Sequence, residues 1–271
     1  MKKSKANKNE LTRAEKKKLL RKRSLGDLVR NMFTSDYDIK LDESVANMRK
    51  STYRIYSFMN KEHEELIPLS INNAIPNLIL VLLTDGNKIL PKMLIRSNIN
   101  YYLNLAKMAY DTNDHNTVIL IRAALSHSVM ERINIKRTRK YNDYMKLFEE
   151  KYGSFQNSHK IHLNDMIKNV NPTNYLPSVM ILTIHIKKLM AYQKEYIRNR
   201  RSFGEVPKTI TNTLENLTNV KNTYLQTYAH SYDTLVNLYT EDPMKNNVMQ
   251  MLEGKNIDVK LFKLANIINK N

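Results

Sequence analysis

His159 and His162, three residues apart, are a pair whose type and spacing suggest chemistry. On a helix, positions i and i+3 share a face, so both imidazoles could approach one metal ion. A metal centre needs further ligands, and the sequence sets only Lys160 and Lys168 nearby. His115, His127 and His185 stand alone and read as ordinary core or surface histidines. Gly254-Lys255 lacks the earlier glycine and the following Ser or Thr of a phosphate-binding loop, and neither His-Glu-x-x-His nor Gly-x-Ser-x-Gly occurs. These patterns assign no catalytic residue, no cofactor and no metal.

A second cluster is built of amides. Asn113, Asp114, His115 and Asn116 precede Val118, Ile119, Ile121, Ala124 and Leu125, which are apolar at helical spacing, and the stretch runs on to Arg132 and Ile133. One buried helix with a polar start is expected. Amide side chains donate and accept, so Asn113 and Asn116 could contact a partner backbone. Equally, Asn or Asp at a helix start satisfies its first N–H groups. Both uses are open on the residues alone.

The elements that must position these groups are helical. Of 271 residues 42% are hydrophobic, yet only five are glycine and seven proline, so the chain has few turn makers and an all-α fold is expected. Cysteine is absent, which excludes disulfides and cysteine metal sites. The apolar block Ile79–Leu83 is far shorter than a membrane span, so no transmembrane segment is expected. The N-terminus is basic without a following apolar stretch, unlike a secretory signal. A soluble, cytoplasmic protein is the expectation.

The net charge of +18 attracts polyanions, either nucleic acid or an anionic membrane, and Lys/Asn/Ile-rich composition alone also raises it. Much of the excess lies in residues 1–23, where Leu11, Leu19 and Leu20 are the only large apolar side chains. Such a segment cannot bury enough surface to offset its ordering entropy. Residues 1–40 are therefore expected to form a basic, disordered arm: an import signal, a nucleic-acid arm, a membrane tether or a solvated tail. Residues 41–271 form the helical domain.

Within the arm, residues 24–43 read as a short amphipathic piece and an acidic link. Helices are expected from Ser44 to Met59, from Leu78 to Leu90 with Pro76 at its first turn and an interruption at Asp85-Gly86-Asn87, and from Ile95 to Tyr110. Others follow at Tyr141–Tyr152, His159–Val170, and from Leu176 through Met190 into a basic, aromatic end. A break near 202–207, a long helix Thr209–Tyr239 and two short segments complete the chain. The long helix lacks a strict heptad, which favours core packing over pairing with another chain.

The order of these motifs resembles the catalytic domain of Ras-family guanine-nucleotide exchange factors (RasGEF). The family's Asn-Asn-Phe-Asn segment is similar to Asn113, Asp114, His115 and Asn116; its Leu/Met-Asn-Ser-Ser run falls on Leu125 to Ser128 and its Arg-Leu pair on Arg132 and Ile133. Its Asn-Pro-Pro-Cys-x-Pro segment, followed by an apolar run with Leu-Thr, resembles Asn171-Pro172-Thr173-Asn174-Tyr175-Leu176-Pro177 and Leu182-Thr183, and its Pro-Asn-Leu helix start resembles Pro76-Asn77-Leu78. The resemblance spans residues 45 to 200. It implies a multi-helix domain with a protruding helical hairpin, no covalent chemistry, and a small GTPase of the Ras superfamily as partner. It also implies structural roles for Arg132, Asn171 and Pro172, and partner contacts at Asn113 and Asn116. On the hairpin, the family's apolar position falls on Ile186, beside Lys187, and its acidic position on Met190. Methionine cannot supply that charge, and Glu195 is the nearest acid. The brevity of the chain, without the family's usual amino-terminal module, suggests a microbial or viral mimic acting inside a host cell.

Overall fold

The computed structural model describes residues 25–60, 66–153, 159–199, 203–231 and 237–270. The chain divides into two compact units, Met1–Ser44 and Val45–Asn271. Of the expected disordered arm of residues 1–40, residues 1–24 lie outside the described residues, as do the polar stretch at 61–65 and residues 200–202, while residues 25–40 are helical rather than disordered. Among the described residues there is no strand, only two isolated bridges, and the fold is all-α.

The helices are α1 (Leu25–Ser57), α2 (Leu66–Leu83), α3 (Lys92–Asp111), α4 (His115–Leu125), α5 (Ser128–Arg132), α6 (Arg139–Tyr152), α7 (Lys160–Lys168), α8 (Val179–Arg198), α9 (Lys208–Tyr228), α10 (Asn237–Thr240), α11 (Asn247–Met251) and α12 (Ile257–Lys270). Among the described residues a 3-10 turn, Pro243–Lys245, precedes α11.

The long helix expected over Thr209–Tyr239 ends at Tyr228, and three other boundaries differ from the sequence pattern for physical reasons. The expected link around Asp36–Asp42 is helical: no glycine or proline interrupts Asp27–Ser57, and Asp and Tyr cost only a few tenths of a kcal/mol each in a helix. Pro76, expected at a first turn, sits inside α2, because Leu66 to Ile75 also folds as helix and buries Ile67 and Ala74. Such packing outweighs the roughly 3 kcal/mol that an interior proline costs. The helix expected to reach Leu90 stops at Leu83. There the Asp85 carboxylate accepts from the amides of Asn87 and Lys88, and Gly86 takes φ 92°.

By length and composition α2 is the one helix among the described residues that could cross a membrane. Its Leu78, Ile79, Leu82 and Leu83 have no exposed surface, and Asn77 donates to the carbonyls of Leu238 and Glu241 at 3.0 and 2.8 Å. Those are the contacts of a core helix.

The organising stretch is two helices. α4 packs against α2, α3 and α6 and is buried almost all round. It ends at Leu125, and the His127 imidazole then caps α5 by accepting from the Val129 amide at 3.3 Å. Downstream, α8 and α9 pack along each other as a hairpin.

Candidate functional site: a clamped loop and an exposed hairpin

The segment from Asn171 to Ser178 links α7 to α8 and is held from several sides. Asn171 Oδ1 accepts from the Thr173 amide and hydroxyl at 3.1 and 2.8 Å, forming a local turn. Leu176 pairs with the α4 start: its amide donates to the Asn113 carbonyl and its carbonyl accepts from the His115 amide, both at 2.9 Å. Asn113 makes this possible by adopting φ 57°, a left-handed conformation that asparagine tolerates better than most residues.

Tyrosines complete the clamp. Tyr56 donates to the Pro177 carbonyl at 2.6 Å, Tyr228 donates to the Pro172 carbonyl at 2.5 Å, and Tyr224 donates to the Tyr175 carbonyl. The rings stack among themselves, with Tyr53 and Tyr228 centroids 4.5 Å apart and nearly parallel. Burial pushes the Tyr228 hydroxyl up to about 12 and the Tyr56 hydroxyl well above its ordinary range. They act as neutral donors. Arg49 adds a charged stitch, donating to the Thr112 and Thr173 carbonyls at 3.0 and 3.1 Å.

Under the loop lies a buried polar layer. The α4 cap is Asp114, whose carboxylate accepts from the Thr117 amide and hydroxyl and from the Thr52 hydroxyl. Burial raises its pKa, while Thr117 and Arg49 pull it down. Asn116 is also buried: its carbonyl oxygen accepts from the Val179 amide at 3.2 Å and its amino group donates to Thr52.

Beside this layer His115 Nδ1 meets the Tyr152 hydroxyl at 2.6 Å, and His162 Nε2 accepts from the Ser178 amide at 3.2 Å. That acceptance leaves the His162 proton on Nδ1, facing the Tyr175 hydroxyl at 3.1 Å. Desolvation drives the His115 pKa down to about 3 and that of His162 well below its ordinary value, so both rings are neutral core groups. His159 does not converge with His162 on a metal position; its Nδ1 lies 3.4 Å from His185 Nε2. No cluster with metal-ligand character occurs among the described residues.

The sequence-derived site residues therefore separate. Asn113 and Asn171 come together on one open cavity of about 610 Å³ that also includes Lys151, Asp165 and Lys168. Asn116 is corrected from contact residue to structural bridge, because both ends of its amide are consumed inside the protein. Ile186 is corrected likewise: it is 7% exposed and packs in the hairpin base. Pro172 supplies the carbonyl that Tyr228 clamps. Arg132 is exposed and finds an aromatic mate, its guanidinium lying 4.3 Å from the Phe262 ring centroid. Its carbonyl accepts from Asn269.

Lys187, Met190 and Glu195 are exposed on α8. The same half of the hairpin exposes large apolar side chains on more than one side of the helix: Met190 and Tyr192 are 43% exposed, Phe203 54% and Ile197 64%. The sequence reading missed Arg49, Thr52 and the tyrosine clamp. The signal was present as Tyr53 with Tyr56 and Tyr224 with Tyr228, two pairs at helical spacing.

Comparison with protein-family models, with curated proteins and with solved structures finds no match to this chain.

Proposed function

We propose that the chain is a RasGEF-like guanine-nucleotide exchange factor for a small GTPase of the Ras superfamily. The observation that carries this reading is the contrast within the hairpin: its base is clamped by Tyr56, Tyr224 and Tyr228, while its distal half presents Met190, Tyr192, Ile197 and Phe203 to solvent. Large apolar side chains left exposed along one stretch of a braced support favour a protein-binding surface. The co-linear order of the motifs, from Asn113 to the Asn171–Pro177 loop and the hairpin, supports the same reading.

Exchange on this surface needs no covalent step. A protein that binds the nucleotide-free GTPase more tightly than the loaded one must weaken nucleotide binding by the same factor, so GDP leaves. Because Ile186 is buried, the wedge that displaces a switch segment is drawn from Met190 and the apolar residues beyond it. The basic residues of the N-terminus would hold the domain at an anionic membrane, each contributing about 1 kcal/mol near the surface. The setting is then cytoplasmic and membrane-peripheral.

A second reading rests on charge. Lys187, Lys188, Lys194 and Arg198 share the exposed hairpin with only Glu195 among acids from Val179 to Arg198, and the whole chain carries +18. Helical polyanion binding, to nucleic acid or anionic lipid, or scaffolding of a GTPase without exchange, would use that face. The two readings divide on one experiment: retention of a GTPase panel, nucleotide-free against GDP-loaded. Preference for the nucleotide-free form supports exchange; equal retention supports scaffolding; retention of neither, with salt-dependent binding to nucleic acid or vesicles, supports polyanion binding.

A further inference from the structure

The distal hairpin contains a concavity of about 340 Å³ lined by Tyr192, Glu195, Tyr196, Phe203 and Ile210. Three of its five walls are aromatic and one is a carboxylate. Tyr196 and Phe203 lie 5.6 Å apart between centroids at 54°, which forms a corner rather than a closed stack. The corner is fixed by backbone bonds: the Asn199 amide donates to the Glu195 carbonyl, and the Phe203 amide to the Asn199 carbonyl, both at 2.9 Å. Pro207, at the start of α9, accepts from the Ile210 amide and anchors the remaining wall.

Aromatic faces carry negative potential, and a carboxylate beside them supplies a full charge, so such a box selects a cation over a neutral group of the same shape. The chain already uses one of these rings in that way, with Lys188 Nζ 5.7 Å from the Tyr192 centroid. Glu195 makes no ion pair with a described residue, although its helix is otherwise basic. Glu195 thus places a carboxylate beside the aromatic corner, where a cation entering it could pair with it.

We infer that this corner is a binding site for one basic side chain, an arginine or lysine, presented by a partner protein. The rings take the cation's faces and Glu195 its charge. The basic residues around the box favour a partner whose cation stands within an acidic surface. The inference rests on the hairpin being the surface that meets a partner, and it adds the chemistry of the residue captured there.

The test uses the full chain with labelled aromatic residues, titrated by NMR with Nα-acetyl-arginine amide and Nα-acetyl-lysine amide, and with Nα-acetyl-citrulline amide as the uncharged isostere of arginine. Saturable shifts at Tyr192, Tyr196 and Phe203 are expected with one or both cations, roughly tenfold weaker with citrulline. Glu195→Gln should weaken the cations several-fold and leave citrulline unchanged, and Tyr196→Ala should remove both responses while circular dichroism stays that of wild type. Equal binding of citrulline, or no response at these three rings, overturns the inference. Exchange activity is read separately on the same variants: a box that binds cations in a protein that exchanges nothing sinks the exchange reading alone. Exchange unaffected by Glu195→Gln and Tyr196→Ala, with no cation response, sinks the box alone.

Discussion

The two ends of the α8–α9 hairpin are built on opposite rules. At the base, near Ser178 and Tyr228, polar atoms are buried and paired: the hydroxyls of Tyr56, Tyr224 and Tyr228 each reach a loop carbonyl, and Asn116 caps the Val179 amide. At the far end, near Arg198 and Phe203, large apolar side chains stand in water. Burying polar groups and exposing apolar ones both cost free energy unless something compensates. At the base the compensation is internal and visible as hydrogen bonds. At the tip the apolar side chains stay exposed, and under the proposed function a partner would cover them, so the two ends should respond to mutation in different assays.

The largest stability effect should come from the base. Tyr56→Ala removes a fully buried ring and the donor to Pro177, and should cost about 3–5 kcal/mol in chemical denaturation. A loss under about 1 kcal/mol would mean that the clamp does not hold the hairpin.

Acidification attacks the same region. His115 and His162 have folded-state pKa values below the unfolded value near 6.5, so below that pH the unfolded chain binds protons that the folded chain refuses. The His115 contribution is fully present above about pH 6.5 and is lost as pH falls toward about 3, at up to about 1.4 kcal/mol per pH unit, and that of His162 is lost in the same direction. Asp114, whose pKa is raised by burial, works in the opposite sense in the window just above the ordinary carboxylate value. Denaturation midpoints between pH 7 and 5 should fall for wild type and flatten in a His115→Gln/His162→Gln variant; parallel slopes would show that other groups set the acid response.

Asn116→Ala is the intermediate case. It leaves the Val179 amide buried without its acceptor and should cost about 1–3 kcal/mol. Because the amide does not reach the surface, partner binding by the folded fraction should be unchanged, and a selective loss of binding at full stability would return Asn116 to the contact surface.

At the tip the expectation reverses. Met190→Asp and Ile197→Asp should cost no more than about 1 kcal/mol, since Met190 is 43% and Ile197 64% exposed. Their effect should appear only in partner assays.

The same contrast explains what the sequence made legible. Helix type was readable because few glycines and prolines interrupt the 3.6-residue pattern, as in α3, where Ile95, Ile99, Leu103 and Ala106 recur and are buried. Boundaries were less readable where tertiary packing outweighs local signals, as at Pro76 within α2. The hairpin could be placed from the apolar run after Pro177 and its basic, aromatic end. Which of its residues face outward could not: Ile186 and Met190 are one turn apart and equally apolar, and only packing against α2 and α9 decides that one is buried. Arg49 was invisible for another reason, since its partners are backbone carbonyls 63 and 124 residues away.

Under the proposed function the exposed tip would drive nucleotide release and the base would only support it. The most direct measurement is release of a fluorescent GDP analogue from Ras, Rap, Ral and Rab-type GTPases as this protein is added, with Met190→Asp in parallel. The account expects faster release on one GTPase class, lost in Met190→Asp at unchanged melting temperature. No acceleration on any of them by folded protein, or acceleration that Met190→Asp retains in full, would contradict it.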